Sequence, residues 1–342
     1  ATIISGFSNT DLISGEVAAN TYFSSINGSD QLGLYILKVE GNNLVLVHEI
    51  KEITWDAANS TWKVDSKFGS ADADTFANGD TVIFGALSGA TEVVTIDGAV
   101  EAESVSIEAG ADKEYSFMSA NGGKLTTSTL EIGAGTAKFA DETLKIGEVS
   151  KLTVSEGGVL DITGFTDEVE GDTSTLVDKI FSLISGEDAG SGTVKLGNGF
   201  WVSGGNYELL KTDIETTGDF HFNNLSGSDT NRATVIIAND FTVGGALKIE
   251  KFYDASVISG AKLDVTNEIQ VGNSAGGGKL TIQGGEVTAA QISRDDRDDN
   301  STFTMTGGTL ELTGTGGIAQ GIATTISGGT LKTGDNSWDI TG

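Results

Sequence analysis

The chain has 342 residues, with 49 acidic against 20 basic side chains for a net charge of −29, and it holds 48 glycines but no proline and no cysteine. That balance excludes a collagen helix, which needs proline, the zinc, disulfide and thiol chemistries that need cysteine, and a nucleic-acid binder, which needs a basic footprint. At 38% hydrophobic residues the chain is too apolar for wholesale disorder, and no apolar run approaches the roughly 20 residues of a membrane-spanning helix.

The opening Ala1-Thr2-Ile3-Ile4 has no initiator Met and no basic segment, so it reads as a processed or cut end. Residues 1–54 are expected to be the end of a preceding β-solenoid unit or an N-terminal cap. Residues 55–170 are expected to form solenoid coils. The signal for them is Gly-Gly, one residue, then an apolar one, as in Gly122-Gly123-Lys124-Leu125 and Gly157-Gly158-Val159-Leu160. Period-two alternation after each pair, as in Leu152 and Val154 or Leu160 and Ile162, puts one face inside and one in water.

Residues 171–240 break the pattern and are read as an irregular insertion. Leu176, Val177, Ile180, Phe181, Leu183 and Ile184 have helical spacing, which predicts a short amphipathic helix over 174–185. Thr173 or Ser174 is its candidate N-cap and Gly186 its stop. From 241 to 342 the coil signal returns at Gly244-Gly245, Gly277-Gly278, Gly307-Gly308 and Gly328-Gly329. A period of about 20 to 25 residues is the length of one solenoid coil. The fold class read from this is all-β, a parallel β-helix (β-solenoid) with one short amphipathic helix insertion. An antiparallel sandwich of short strands is the alternative. The absence of proline suits uninterrupted backbone ladders. The absence of cysteine suits either a reducing cytosol or a chain that crosses an outer membrane unfolded.

Trp55 to Trp62 open a segment that continues through Phe76-Ala77-Asn78-Gly79-Asp80-Thr81-Val82-Ile83-Phe84 to Val105-Ser106-Ile107. This resembles the autotransporter-associated β-strand repeat, and the Gly-Gly strands downstream are similar to coils in passenger domains of AIDA-like autotransporter adhesins. Leu34 to Val47 resembles the closing strands of one such unit. The resemblance implies export across an outer membrane and display as a rigid stalk or adhesive fibre, and it implies no catalytic residue. No aromatic-rich translocator barrel is evident, so the chain reads as a released passenger or a piece of a longer surface protein.

Chemistry has little to work with. His48 and His221 are far apart and fit no metal spacing. His48 lies in an alternating strand, and His221, between Phe220 and Phe222, is expected to face away from them. The run Arg294-Asp295-Asp296-Arg297-Asp298-Asp299-Asn300 reads as a charged loop between two strands. Asp295, Asp296, Asp298 and Asp299 are candidate calcium ligands, since hard oxygen donors at short spacing suit that ion, with a plain solvated loop as the alternative. Asp72, Asp74 and Asp80 echo an EF-hand only superficially, because Ala77 and Ile83 stand where glycine and glutamate belong. No cofactor is expected apart from that calcium. Trp55 and Trp62 are expected to pack into the start of a module. Trp201 is the candidate exposed ligand contact.

The function expected is a non-catalytic, secreted or cell-surface protein: a stalk, adhesin, or self-assembling fibre or surface-layer component. Its partners would be further copies through the solenoid ends, or a glycan or host surface, with no nucleic acid and no membrane insertion by this segment. A glycan-binding or polysaccharide-degrading protein on the same fold is the alternative.

Overall fold

Strands of about four residues, flanked by glycine and alternating in polarity, can each bury only half their side chains. They gain a core by stacking on the strand one coil earlier. The computed structural model describes residues 2–5, 22–23, 35–40, 43–48, 50–55, 60–68, 75–140, 143–165, 175–273, 276–295 and 300–334, with the backbone alone up to residue 48. It is a β-solenoid of about ten coils with parallel sheets. The longest sheet has 15 strands. An inward column runs through it from Tyr115 by way of Ala137, Leu160, Val194, Ile214, Phe241, Leu263, Val287 and Leu310 to Leu331, each the register partner of the next. All but Leu331 are buried. At about 1.5–3 kcal/mol for each large aliphatic side chain taken out of water, the columns provide the driving force.

The first half of the stack has two arms. Strands Thr91–Ile107 and Glu114–Ile132 pair in parallel along both arms, and the register shifts at the corner between Asp97 and Ala99. The corner uses left-handed backbone at Gly98 (φ 76°), Asn121 (φ 49°) and Gly122 (φ 72°). The Asn121 amide donates to the Asp97 carboxylate of the coil before it at 2.6 Å. Gly123 is needed for room, since a Cβ there would lie 1.8 Å from the Ile96 carbonyl oxygen. Trp55, Trp62, Phe68, Phe76 and Phe84 fill the start of this half, all buried. Their rings touch edge-on or stacked, as with Trp62 and Phe76 at 5.5 Å. The tryptophan pair therefore packs inward, as expected.

From Thr193 onward each coil has three sides. The second side is a five-stranded sheet formed by Phe200–Val202, Phe220–Phe222, Leu247–Ile249, Glu268–Val271 and Gln291–Ser293. The third is a six-stranded sheet from Asn206–Leu209 to Ala323–Ile326. Both begin where the helix α1 (Leu176–Ile184) ends their open edges. α1 turns Leu176, Val177, Ile180, Phe181 and Ile184 into the core, where Phe181 stacks on Phe220 at 5.9 Å.

The two ends of α1 supply hydrogen-bonding groups that a neighbouring strand would otherwise supply. At its N-terminus the Thr175 hydroxyl donates to the Trp201 carbonyl at 2.5 Å, and Asp178 accepts from the Ser203 backbone N–H at 3.1 Å. At its C-terminus Ser185 Oγ accepts from the Glu208 N–H at 2.6 Å, while Gly186 N–H donates to the Glu208 carbonyl at 2.8 Å. A helix is thus the cover for two sheet edges that would otherwise invite pairing with another chain.

Three expectations need adjustment. The N-cap is Thr175, not Thr173 or Ser174, because Thr175 places Asp178 at the third helical position and completes a capping box. The irregular stretch expected over 171–240 is narrower among the described residues, since the strands from Thr193 on keep the coil register. Of the two readings of residues 1–54, a preceding solenoid unit or an N-terminal cap, the first does not fit, because the described strands of residues 1–48 form a four-stranded antiparallel sheet with Tyr35–Glu40 against Asn43–His48.

Candidate binding face

The outward residues of each sheet also form columns, because register is kept from coil to coil. On the long sheet the column of Lys138, Asp161, Lys195 and Glu215 is a ladder of charges. Lys195 and Glu215 meet at 3.0 Å, and Lys332 and Glu311 further along at 3.7 Å. Opposite charges facing across strands favour this register over a slipped one. On the third sheet the column is Ser256, Thr281, Thr304 and Thr325.

The second sheet differs. Its central outward column is Trp201, His221, Lys248, Gln270 and Ser293, each the register partner of the next. His221 does face away from the buried Phe220 and Phe222, as expected. Trp201 is partly exposed, whereas Trp55 and Trp62 are buried. Next to the column the charges pair off. His221 Nδ1 lies 3.2 Å from Glu250 Oε2, and Lys248 Nζ lies 3.5 Å from Asp219 Oδ2. The Asp219 carboxyl is held below its ordinary range, chiefly by the Ala246 backbone N–H at 2.8 Å and then by Lys248. Gln291 donates its amide to Glu268 at 2.7 Å. An open trough of about 420 Å³ runs beside the column, floored by Ala246 and Ala290 and walled by Asp219, Lys248, Asn267, Glu268, Gln270 and Gln291.

Two side-chain oxygens on this sheet, Asn223 Oδ1 and Ser293 Oγ, are buried without a hydrogen-bond partner. Asn223 also donates to Glu250 at 3.4 Å, so its amide is oriented and its oxygen is left over.

A second trough, of about 370 Å³, lies on the first half between Asn78, Glu101, Glu103, Thr126, Ser128 and Glu148. Among the described residues no group of three or more His, Cys, Asp or Glu side chains is placed to hold a metal ion. Of the acidic run, Asp295 sits just after the strand Gln291–Ser293, and Asp296, Asp298 and Asp299 lie outside the described residues. Asp72 and Asp74 also lie outside them. Asp80 is buried and caps its own corner, accepting from the Ala77 N–H at 2.9 Å. Sequence reasoning singled out Trp201 but missed His221, Lys248, Gln270 and their flanking carboxylates as one row. Loops of unequal length between coils hide that alignment. No helix among the described residues is long and apolar enough to cross a membrane. Compared with known proteins, the chain matches no protein-family model, no curated protein and no solved structure.

Proposed function

We propose that this chain is a non-catalytic extracellular surface protein, a stiff stalk or adhesive shaft whose sides display binding faces. The observation that carries this reading is the stack itself: inward columns packed from Tyr115 to Leu310. Two hollows that the coils leave are open troughs on the sides. Enzymes usually bury most of a small substrate in a cleft, whereas a long side-on surface suits contact with an extended partner. On the second sheet His221 lies against Glu250 and Lys248 against Asp219, so these groups are engaged with one another. The resemblance of the segment from Trp55 to Ile107 to the autotransporter-associated repeat supports display at an outer membrane. Antibodies raised against the folded chain should label intact producing cells. Labelling only after permeabilisation would overturn the surface placement, and release of reducing ends from a panel of polysaccharides would overturn the non-catalytic reading.

A further inference from the structure

We infer that the outward row Trp201–His221–Lys248–Gln270–Ser293 and the trough beside it bind a neutral, extended, β-1,4-linked glycan laid along the solenoid axis, one sugar to a coil. The inference deepens the surface-protein reading and rests on it for its setting, outside the cell.

Three observations converge on it. The first is spacing. Neighbouring parallel strands lie about 4.8 Å apart, close to the length of one pyranose unit in an extended chain. Five coils contribute to the row, so successive sugars would meet successive coils. The second is chemistry. Trp201, partly exposed, brings an aromatic side chain to one end. Planar amides and carboxylates follow at Gln270, Gln291, Asn267, Glu268 and Asp219, a set that both donates to and accepts from vicinal hydroxyls.

The third observation is charge. Lys248 is already paired with Asp219, and the His221 ring lies against Glu250. A polyanion would have to compete for them while approaching a chain of net charge −29. The same pairing disfavours nucleic acid, which is held by lysine and arginine left for phosphate. A protein partner would call for an apolar centre ringed by polar groups, and the row has a single aromatic at its end. The outward columns of the long and third sheets, which lack a tryptophan, provide internal comparison faces.

Titration calorimetry on the purified 342-residue chain with xylo-, cello- and chito-oligosaccharides, from disaccharide to hexasaccharide, tests the inference, with polygalacturonate as the acidic comparison. At least one neutral series should bind, its affinity rising with length and levelling near the pentasaccharide. Trp201→Ala and Gln270→Ala should each weaken binding about tenfold, the scale of one lost aromatic or buried polar contact. Lys195→Ala on the long sheet should not. Should Trp201→Ala fail to fold by circular dichroism, Gln270→Ala decides the matter alone. Absence of binding by every neutral series, binding indifferent to Gln270→Ala, or preference for polygalacturonate would each overturn the inference. None of these outcomes bears on whether intact cells are labelled, so a failed glycan site and a failed surface placement are told apart.

Discussion

Replacing Asp178 with alanine should loosen the joint between the two halves of the solenoid. The carboxylate is buried and takes hydrogen bonds from the Thr175 N–H at 2.8 Å, the Ser203 N–H at 3.1 Å, the Ser203 hydroxyl, and the Tyr207 hydroxyl at 3.1 Å. Burial, together with the adjacent Asp178 charge, pushes the Tyr207 phenol up from its ordinary value, so it stays a donor across the accessible pH range. Alanine would strand these donors in a place water reaches poorly. At about 1 kcal/mol for each orphaned donor, with allowance for partial relaxation, the loss is about 3 kcal/mol. Asparagine keeps one oxygen but turns an NH₂ toward the remaining donors, and should cost about half as much. Urea unfolding followed by circular dichroism gives the stability change. Amide exchange gives its location, since the Ser203 amide and the first turn of α1 should lose protection before the coils beyond Leu247. Ser182→Ala, on the exposed side of the helix, serves as control. A loss under about 0.5 kcal/mol for Asp178→Ala, with the Ser203 amide still protected, would refute the edge-cover role of the helix.

Two further substitutions probe other levels of the structure. Leu310 is fully buried whereas Thr309 beside it is partly exposed, so Leu310→Asp should cost several kcal/mol, about 3 or more, while Thr309→Asp stays near neutral in thermal unfolding. Equal effects would contradict the inward and outward assignment. The Asp213 carboxyl is held above its ordinary range by burial and by the Asp240 and Glu215 charges, against the opposing Asp240 N–H. A raised native value means that its ionisation destabilises the fold as pH rises through that value. Asp213→Asn keeps the acceptor used by Asn239 and by the Asp240 N–H, so it should stabilise at neutral pH by about 0.5 kcal/mol after solvent screening. The gain should vanish in acid, where the wild-type carboxyl is protonated too, and a gain that persists there would contradict this cause.

Much of the solenoid is legible in residue order, for a local reason. Strand and corner are both short-range features, so Gly278-Lys279-Leu280-Thr281-Ile282 and Gly308-Thr309-Leu310-Glu311-Leu312 announce their inner faces directly. The helix shows itself in the same way, through the 3.6-residue spacing of its apolar side chains. Direction is another matter. Alternation is identical in parallel and antiparallel strands, which is why Tyr35–Glu40 and Asn43–His48 read as coil strands and pair as a hairpin. The bent ladders of Thr91–Ile107 and Glu114–Ile132 were equally hidden, since Gly98 and Gly122 look like strand ends in sequence while serving as corners within a strand.

Long-range features were the least visible. Asp178 looks like the polar flank of an amphipathic helix, and only the docking of that helix on Ser203 and Tyr207 gives its carboxylate a role. The second-sheet row is assembled from five coils whose loops differ in length. No sequence period aligns Trp201 with His221, Lys248 and Gln270, although strand pairing does. A column search that tolerates variable loops would have found it.

Parallel stacking in register can be read directly with paired spin labels, because the chain contains no cysteine of its own. Lys195 is followed, coil by coil on the same outward column, by Glu215, Thr242, Asp264, Thr288, Glu311 and Lys332. With one label at 195, separations to 264, 288, 311 and 332 should climb in equal steps, from about 14 to about 29 Å at about 4.8 Å per coil. Distances that fail to rise monotonically along that column, or that alternate as the strands of a hairpin sandwich would, contradict the solenoid.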